Sequence, residues 1–433
     1  MKKTFKKLKK SVKRILFSYA KRNEKFRKCL RKVLLKKRTV YYKHRQKNVE
    51  LDEKTIIFSS FSGRYYSDSP KAIYEYMLSD DRFNDYKFIW VFKKPKNFLY
   101  LLDNPNTSLV KANGKKYEKR LIKSKFWIMN YRVADHIYPT DKQVYIQLWH
   151  GTPLKRLGYD IKISDNAMNS KDEIRDKYRI DAEKFKYILS PSAFASEKFI
   201  SAWNLKEVHK EHTVLEDGYP RNDFLVNYTD YQLKEIKAKL GVLKTDKKII
   251  LYAPTWRDNQ HESGVGYTYE VSVDFDKLRK ELEDDYIILF RAHYLVANSF
   301  DFEKYEGFIY DVSSYSDINH LYVASDLLIT DYSSVFFDYS ILKKPIIYYM
   351  YDLEQYGGEI RGFYLSLDEL PGPIVQKEDE LIKEIYKTND FVYDEKYKKF
   401  NDKFNYLTDG KASQRVSEHV VLDNNRHLEE VEI

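Results

Sequence analysis

Cysteine is almost missing from this 433-residue chain: Cys29 stands alone, so no disulfide framework can form within it and a reducing compartment is expected. No run of about 18 apolar residues occurs, so no membrane-spanning helix is expected. The amino terminus is crowded with lysine and lacks the apolar stretch of a secretory signal. A GxxxxGK[ST] loop, a Gly-rich dinucleotide fingerprint, an HExxH pair and a Cys-rich zinc pattern are all lacking. No cofactor and no metal is therefore expected. What the chain does have is apolar bulk: 43% hydrophobic residues, with 39 Tyr and 25 Phe, enough for large cores in two or three domains.

The net charge of +11 conceals an asymmetry. Residues 1–48 hold 21 Lys/Arg and one acid, Glu24, for a net of +20; the remainder carries 55 Lys/Arg against 64 Asp/Glu, a net of −9. The basic character thus belongs to a tail and not to the body, and a nucleic-acid partner is not expected. Within the tail, Phe5, Leu8, Val12, Ile15 and Tyr19 recur at three- and four-residue steps, and Phe26, Leu30 and Val33 continue the stripe less regularly. That pattern predicts a basic amphipathic helix on an anionic membrane surface, although a basic helix docked on an acidic partner has the same signature.

From about residue 50, short apolar runs alternate with helical patterns. Strands are predicted at 55–58, 88–92, 108–110, 126–129, 144–149 and 187–190, then at 248–252, 286–290, 327–330 and 345–349. Strands alternating with helices predict parallel α/β sheets. Two units joined near 217–230 give a domain at 50–224, a second at 225–420 with terminal helices over 378–410, and a polar tail at 421–433. Helices are predicted to open at Pro70, capped by Ser69, and over 334–342.

The polar residues that end these strands are the candidate site, because open α/β sheets bind ligands beyond the carboxyl ends of their strands. Trp149-His150-Gly151-Thr152-Pro153 ends one strand abruptly and holds a histidine there. Arg221 follows the turn Gly218-Tyr219-Pro220, from which a guanidinium can fork onto a phosphate. Thr255 after Pro254 offers a hydroxyl and an N–H. In Arg291-Ala292-His293 a cation and an imidazole two residues apart share one face of a strand. Ser333 and Ser334 stand where a helix begins, a favourable place for phosphate, with Asp338 a turn further on, placed to accept from a ribose. Each cluster alone also fits an ordinary turn, cap or packed histidine. Five of them at corresponding strand ends of two α/β units point instead to one phosphate-binding cleft.

At these residues the sequence resembles the CDP-glycerol glycerophosphotransferase family, the teichoic-acid primases and polymerases. The resemblance covers roughly residues 52–410 and is carried by FSSFSGRYYSDSPKAIYEYM (58–77), QLWHGTPLKRLG (147–158), LSPSAFASEKF (189–199), DGYPRND (217–223), LYAPTWRD (251–258), RAHYLV (291–296) and ITDYSSVFFDY (329–339). It implies the GT-B fold, two Rossmann-like domains facing a cleft. It also implies transfer of an alditol phosphate from CDP-glycerol or CDP-ribitol to a hydroxyl of a lipid-linked acceptor, releasing CMP. By position it implies a donor site at Trp149 to Pro153, Arg221, Pro254, Thr255, Arg291 to His293, Ser333, Ser334 and Asp338. On the residues' own chemistry, His150 suits a general base, and His293 with Arg291 suits the diphosphate and the leaving CMP. Such an enzyme, carrying the basic helix, belongs at the cytoplasmic face of a bacterial membrane as a peripheral protein. A GT-B sugar transferase, a nucleotide-sugar epimerase and a polyanion-binding scaffold are the rival expectations.

Overall fold

The computed structural model describes residues 23–162, 170–255, 261–262, 266–267, 273–292, 302–354 and 362–424. The first sheet comprises β1 (Asp52–Ser59), β2 (Lys87–Phe92), β3 (Thr107–Lys111), β4 (Ser124–Met129), β5 (Val144–Gln147), β6 (Tyr187–Ser190) and β7 (Val214–Glu216). The second comprises β8 (Lys248–Ala253) and, after a small hairpin of β9 (His261–Glu262) and β10 (Gly266–Tyr267), β11 (Tyr286–Phe290), β12 (Ile309–Asp311), β13 (Leu327–Thr330), β14 (Ile346–Tyr349) and β15 (Ile374–Val375). Their spatial orders are β3-β2-β1-β4-β5-β6-β7 and β12-β11-β8-β13-β14-β15, and every pairing within the two sheets is parallel.

The two domains follow one plan. In each, the first strand is central, the next two lie on one side of it, and the later ones lie on the other. The order therefore reverses between β1 and β4, and again between β8 and β13, and it is there that the connecting loops part to leave a crevice. The strands read as continuous apolar runs because helices cover both faces of a parallel sheet. Alternate residues serve opposite cores: Ile57, Trp127 and Tyr145 one, and Ile56, Phe58, Ile128 and Ile146 the other. Two cores flank the second sheet in the same way. The GT-B architecture expected from the sequence is the one observed.

Several local expectations change. The strand predicted over 144–149 stops at Gln147, because Trp149 adopts a positive φ of 50° that no strand can continue. The helix expected to open at Pro70 under a Ser69 cap begins at Asp68, with Ser67 in the cap position. The helix predicted over 334–342 is a short α-helix, Val335–Tyr339, followed by a 3₁₀ turn, Ser340–Leu342.

The chain ends also depart from expectation. Helices Glu378–Lys387 and Glu395–Phe404 pack on the second domain, through Leu381 and Ile385 and through Phe400 and Phe404. Helix Ala412–Ser417 and the π-turn Glu418–Leu422, which chain order assigns to the second domain, cross back instead: Val416, Val420 and Val421 join the core of the first. The Asp223 carboxylate receives their leading N–H groups, from Ala412 at 2.9 Å and Ser413 at 2.7 Å. A second clasp joins the domains where Tyr364 N–H donates to the Leu154 carbonyl at 2.8 Å and Arg156 N–H to that of Gly362 at 3.1 Å.

The basic segment assigned to 1–48 divides in two. Phe5, Leu8, Val12, Ile15 and Tyr19 lie outside the described residues. Helix Glu24–Gln46 is docked on the first domain. Tyr42 is fully buried in that domain's core, Arg45 pairs with Glu118, and Gln46 Nε2 donates to the Tyr138 carbonyl at 2.6 Å. The opposite face leaves Val33, Leu34, Val40 and Tyr41 exposed among lysines.

Candidate active site

The site is built first around His150. Its Nδ1 lies 3.0 Å from the Asn130 carbonyl oxygen. A carbonyl can only accept, so Nδ1 carries the proton and Nε2 keeps its lone pair in the neutral ring. Asn130 stands at the end of β4, and its side-chain Oδ1 accepts from Phe61 N–H at 2.8 Å. One residue thereby fixes both the imidazole and the loop after β1. That loop needs fixing, since Phe61, Ser62 and Gly63 take positive φ of 47°, 58° and 78° in succession. A Cβ at Gly63 would lie 3.0 Å from the Val91 carbonyl oxygen, so at this positive φ a side chain would be both strained and crowded.

Trp149, with its own positive φ, is held by packing: its indole meets Trp203 edge-on at 4.9 Å, and its N–H donates to Gln147 Oε1 at 3.1 Å. The strain of such a residue, of the order of 1–3 kcal/mol, turns the chain so that His150 faces the cleft. The ring is reachable by solvent there, yet protein walls surround it. Their desolvation pulls its pKa below the ordinary 6.5; the Asn130 carbonyl and Asp68 oppose this, and Arg221 and Arg132 reinforce it. Gly151 lets the second domain approach, because a Cβ would sit 3.0 Å from Ser334 Oγ.

Arg221 and Asp338 are partners of one another. Arg221 Nε donates to Asp338 Oδ2 at 3.0 Å and Nη2 to Oδ1 at 3.2 Å. Asn222 Nδ2 adds a third bond to Asp338 at 3.1 Å. Burial disfavours the guanidinium charge, and Asp338 and Asp68 more than offset it, so the Arg221 pKa is held above its ordinary value. The structure thus pairs the residue expected to fork onto a phosphate with the one expected to meet a ribose, and both line the cleft cavity. The two-pronged face of Arg221 is occupied by Asp338, and the buried Nη1, without a hydrogen bond, is ion-paired with Asp68 Oδ2 at 3.5 Å.

The second domain supplies the opposite wall. Arg291 ends β11, and its Nη1 donates to the Tyr315 carbonyl at 2.8 Å, which anchors the guanidinium at the cleft. Thr255 N–H donates to Asp331 Oδ1 at 2.8 Å, tying the end of β8 to that of β13 across the switch point. Ser334 occupies the cap position of helix Val335–Tyr339 and makes no side-chain capping bond. The helix is a short one, so its leading N–H groups and the serine hydroxyls matter more here than any long macrodipole.

One cavity of about 470 Å³ unites these pieces. It is lined by Trp149, His150, Gly151, Thr152, Pro153, Arg221, Pro254, Thr255, Arg291, Ala292, Ser333, Ser334 and Asp338, so the structure brings together all the predicted site residues that it describes. His293 lies outside the described residues. The sequence reading missed Asp68, Phe61, Asp317 and Asn319, which also line the cavity. Phe61 lies in the loop after β1 and Asp68 opens the helix that follows it, and the run of small and polar residues over 59–70 was the available signal. Asp317 and Asn319, on a helix start in the second domain, gave none.

Residues 40–422 match the family model described as CDP-Glycerol:Poly(glycerophosphate) glycerophosphotransferase. A teichoic acid poly(glycerol phosphate) polymerase of Staphylococcus epidermidis is 41% identical over 411 residues, which is 92% of this chain but 55% of that protein, so the chain spans about half the length of that relative. A teichoic acid poly(glycerol phosphate) polymerase of Bacillus spizizenii is 39% identical over 373 residues, 86% of this chain and 92% of the other. A solved structure of the wall teichoic acid polymerase TagF, soaked with CDPG, superposes with a TM-score of 0.80 at 39% identity, covering 93% of this chain and 98% of that one.

Proposed function

The chain belongs to the CDP-glycerol:poly(glycerophosphate) glycerophosphotransferase family, and we propose that it transfers glycerol phosphate from CDP-glycerol to a hydroxyl of a lipid-linked teichoic-acid acceptor, releasing CMP. The observation that carries this reading is the His150 tautomer. With Nδ1 committed to the Asn130 carbonyl, Nε2 is left as the base of a ring that lines the same cavity as Ser334 and Arg291.

The acceptor hydroxyl gives its proton to His150 Nε2 as its oxygen attacks the phosphorus that bears glycerol. The new P–O bond forms as the phosphoanhydride bond to CMP breaks. Arg291 and the Ser333-Ser334 N–H and hydroxyl groups take up the charge that grows on the departing phosphate. His293, next in the chain after Ala292, is assigned the proton delivered to CMP, a role that rests on sequence position alone. Arg221 and Asp338 act by holding the two domains in register, and Arg221 Nη1 adds a positive charge near the diphosphate. CDP-ribitol is an alternative donor of the same chemistry.

The enzyme works at the membrane as a peripheral protein, on its cytoplasmic face. No described helix is long and apolar enough to cross a membrane. The exposed Val33, Leu34, Val40 and Tyr41, set among lysines, are suited to an anionic lipid surface. The test is CMP release from CDP-glycerol, CDP-ribitol and a UDP-sugar on a lipid-linked disaccharide acceptor, with mass analysis of the products. The expected product gains whole glycerol-phosphate units; turnover of the UDP-sugar alone overturns the reading.

A further inference from the structure

At the floor of the cleft, three residues that line the cavity each hold a buried polar atom with no hydrogen-bond partner among the described residues. Ser67 stands at the cap position of helix Asp68–Leu78, where a serine ordinarily accepts from a helix N–H, yet its side chain makes no capping bond. The residue is only 2% exposed, and its Oγ is left without a hydrogen bond. From the second domain, Asn319 donates from Nδ2 to the Arg221 carbonyl at 2.5 Å. That bond fixes the orientation of the amide and leaves Oδ1 buried without a donor. Arg221 Nη1 is the third such atom, with Asp68 Oδ2 beside it at 3.5 Å. Arg221 links these groups, because its N–H reaches Ser69 Oγ at 3.4 Å on the helix that Ser67 precedes.

A buried polar atom left unpaired costs stability, so several at one end of a cavity mark a ligand that satisfies them. Their chemistry selects its class. Asn319 Oδ1 and the Asp68 carboxylate only accept, Arg221 Nη1 only donates, and Ser67 Oγ does either. A phosphate brings acceptors alone, so it would leave Asn319 Oδ1 unsatisfied and meet Asp68 with like charge. An ammonium brings donors alone and would meet Arg221 with like charge. A hydroxyl donates one bond and accepts others, so neighbouring hydroxyls on one carbon chain match the mixed set. The place also suits the reaction, since Asp68 is near enough to His150 to favour the charged ring, and both line the cavity.

We propose that Ser67 and Asn319, together with Asp68 and Arg221 Nη1, form a polyol subsite that binds the hydroxyls of a glycerol unit beside His150. It rests on the glycerophosphotransferase reading and assigns the part of the cleft that recognises the alditol. The glycerol has two possible sources, the donor CDP-glycerol and the terminal unit of the acceptor.

The full-length chain is assayed for CMP release with CDP-glycerol on a lipid-linked acceptor that ends in glycerol phosphate. Ser67→Ala should raise the KM of at least one substrate about three- to ten-fold. Its affinity for CMP, which carries no glycerol, should stay put. Its melting temperature should hold or rise, because the change removes an unsatisfied buried hydroxyl and no hydrogen bond. A substrate lacking the glycerol hydroxyl that Ser67 meets should show the same KM with wild type and with Ser67→Ala. A rise in the CDP-glycerol KM assigns the donor's glycerol, and a rise in the acceptor KM assigns the acceptor's terminal unit. Both KM values unchanged, CMP affinity weakening in step, or a melting temperature that falls as for a lost helix cap overturns the subsite. A wild-type chain that releases no CMP overturns the underlying reading and the subsite with it.

Discussion

Arg221 and Asp338 close on each other across the domain boundary, two bonds from one guanidinium to one carboxylate, both side chains less than a tenth exposed. Arg221 follows β7 of the first domain and Asp338 lies in the helix after β13 of the second. The Arg221 carbonyl also accepts from Asn319 Nδ2 at 2.5 Å, and its N–H reaches Ser69 Oγ at 3.4 Å. The cleft is thus set by a buried ion pair at its floor.

Removing Asp338 takes away both hydrogen bonds from the buried Arg221 guanidinium and leaves it only Asp68, 3.5 Å away. Asp338→Ala should cost about 3–5 kcal/mol in denaturant unfolding. The double variant with Arg221→Met should lose less than the sum of the two single changes. Strict additivity would mean that the pair is not formed in solution.

Asn130 makes a sharper case for positioning. Its carbonyl orients His150 and its side chain holds Phe61. Asn130→Ala keeps the carbonyl and deletes the loop anchor, at a cost of about 1–3 kcal/mol. The expected kinetic result is a lower kcat with little change in the acceptor KM. A wild-type kcat would show that the loop needs no such anchor.

Desolvation by the protein walls around His150 holds its pKa below 6.5, so the ring is predominantly neutral at pH 7. The base form is lost only as pH falls through that depressed value. The rate should therefore be level through neutrality and drop on the acid side below pH 6.5. In Asn130→Ala, where the Phe61 loop that walls the ring is released and desolvation is relieved, the acid limb should move toward the ordinary histidine value. An acid limb centred above 6.5 in the wild type would contradict the assignment.

The two faces of helix Glu24–Gln46 should separate in experiment. Tyr42→Ala opens a hole in the first domain's core and should cost about 3 kcal/mol. Val33→Glu/Val40→Glu changes exposed positions and should leave unfolding unchanged while weakening co-sedimentation with anionic vesicles. Undiminished vesicle binding removes this face from the membrane contact.

Much of this site was legible because parallel strands announce themselves. The long central strands are apolar runs, and the residues just beyond the carboxyl ends of β1, β5, β8, β11 and β13 line the cavity. The clusters at 149–153, 254–255, 291–292 and 333–334 could therefore be placed from sequence. The strands of the two large sheets that escaped notice, β7, β12 and β15, are two or three residues long and lie at sheet edges, too short for a period to show, as are β9 and β10 of the small hairpin. The Arg221–Asp338 pair was illegible for another reason. Each residue alone had a plausible ligand, and only the folded chain shows that they satisfy each other. The return of 412–422 to the first domain is likewise a matter of which core receives Val416, Val420 and Val421, and a valine does not record its destination.

Proton transfer at His150 is the central step. The direct measurement is single-turnover CMP release from CDP-glycerol by His150→Asn, with circular dichroism and melting temperature as controls and His293→Ala run in parallel. The predicted result is a loss of at least about 100-fold in the chemical step for His150→Asn, with the fold and donor binding retained. CMP release near the wild-type rate from a folded His150→Asn would contradict it.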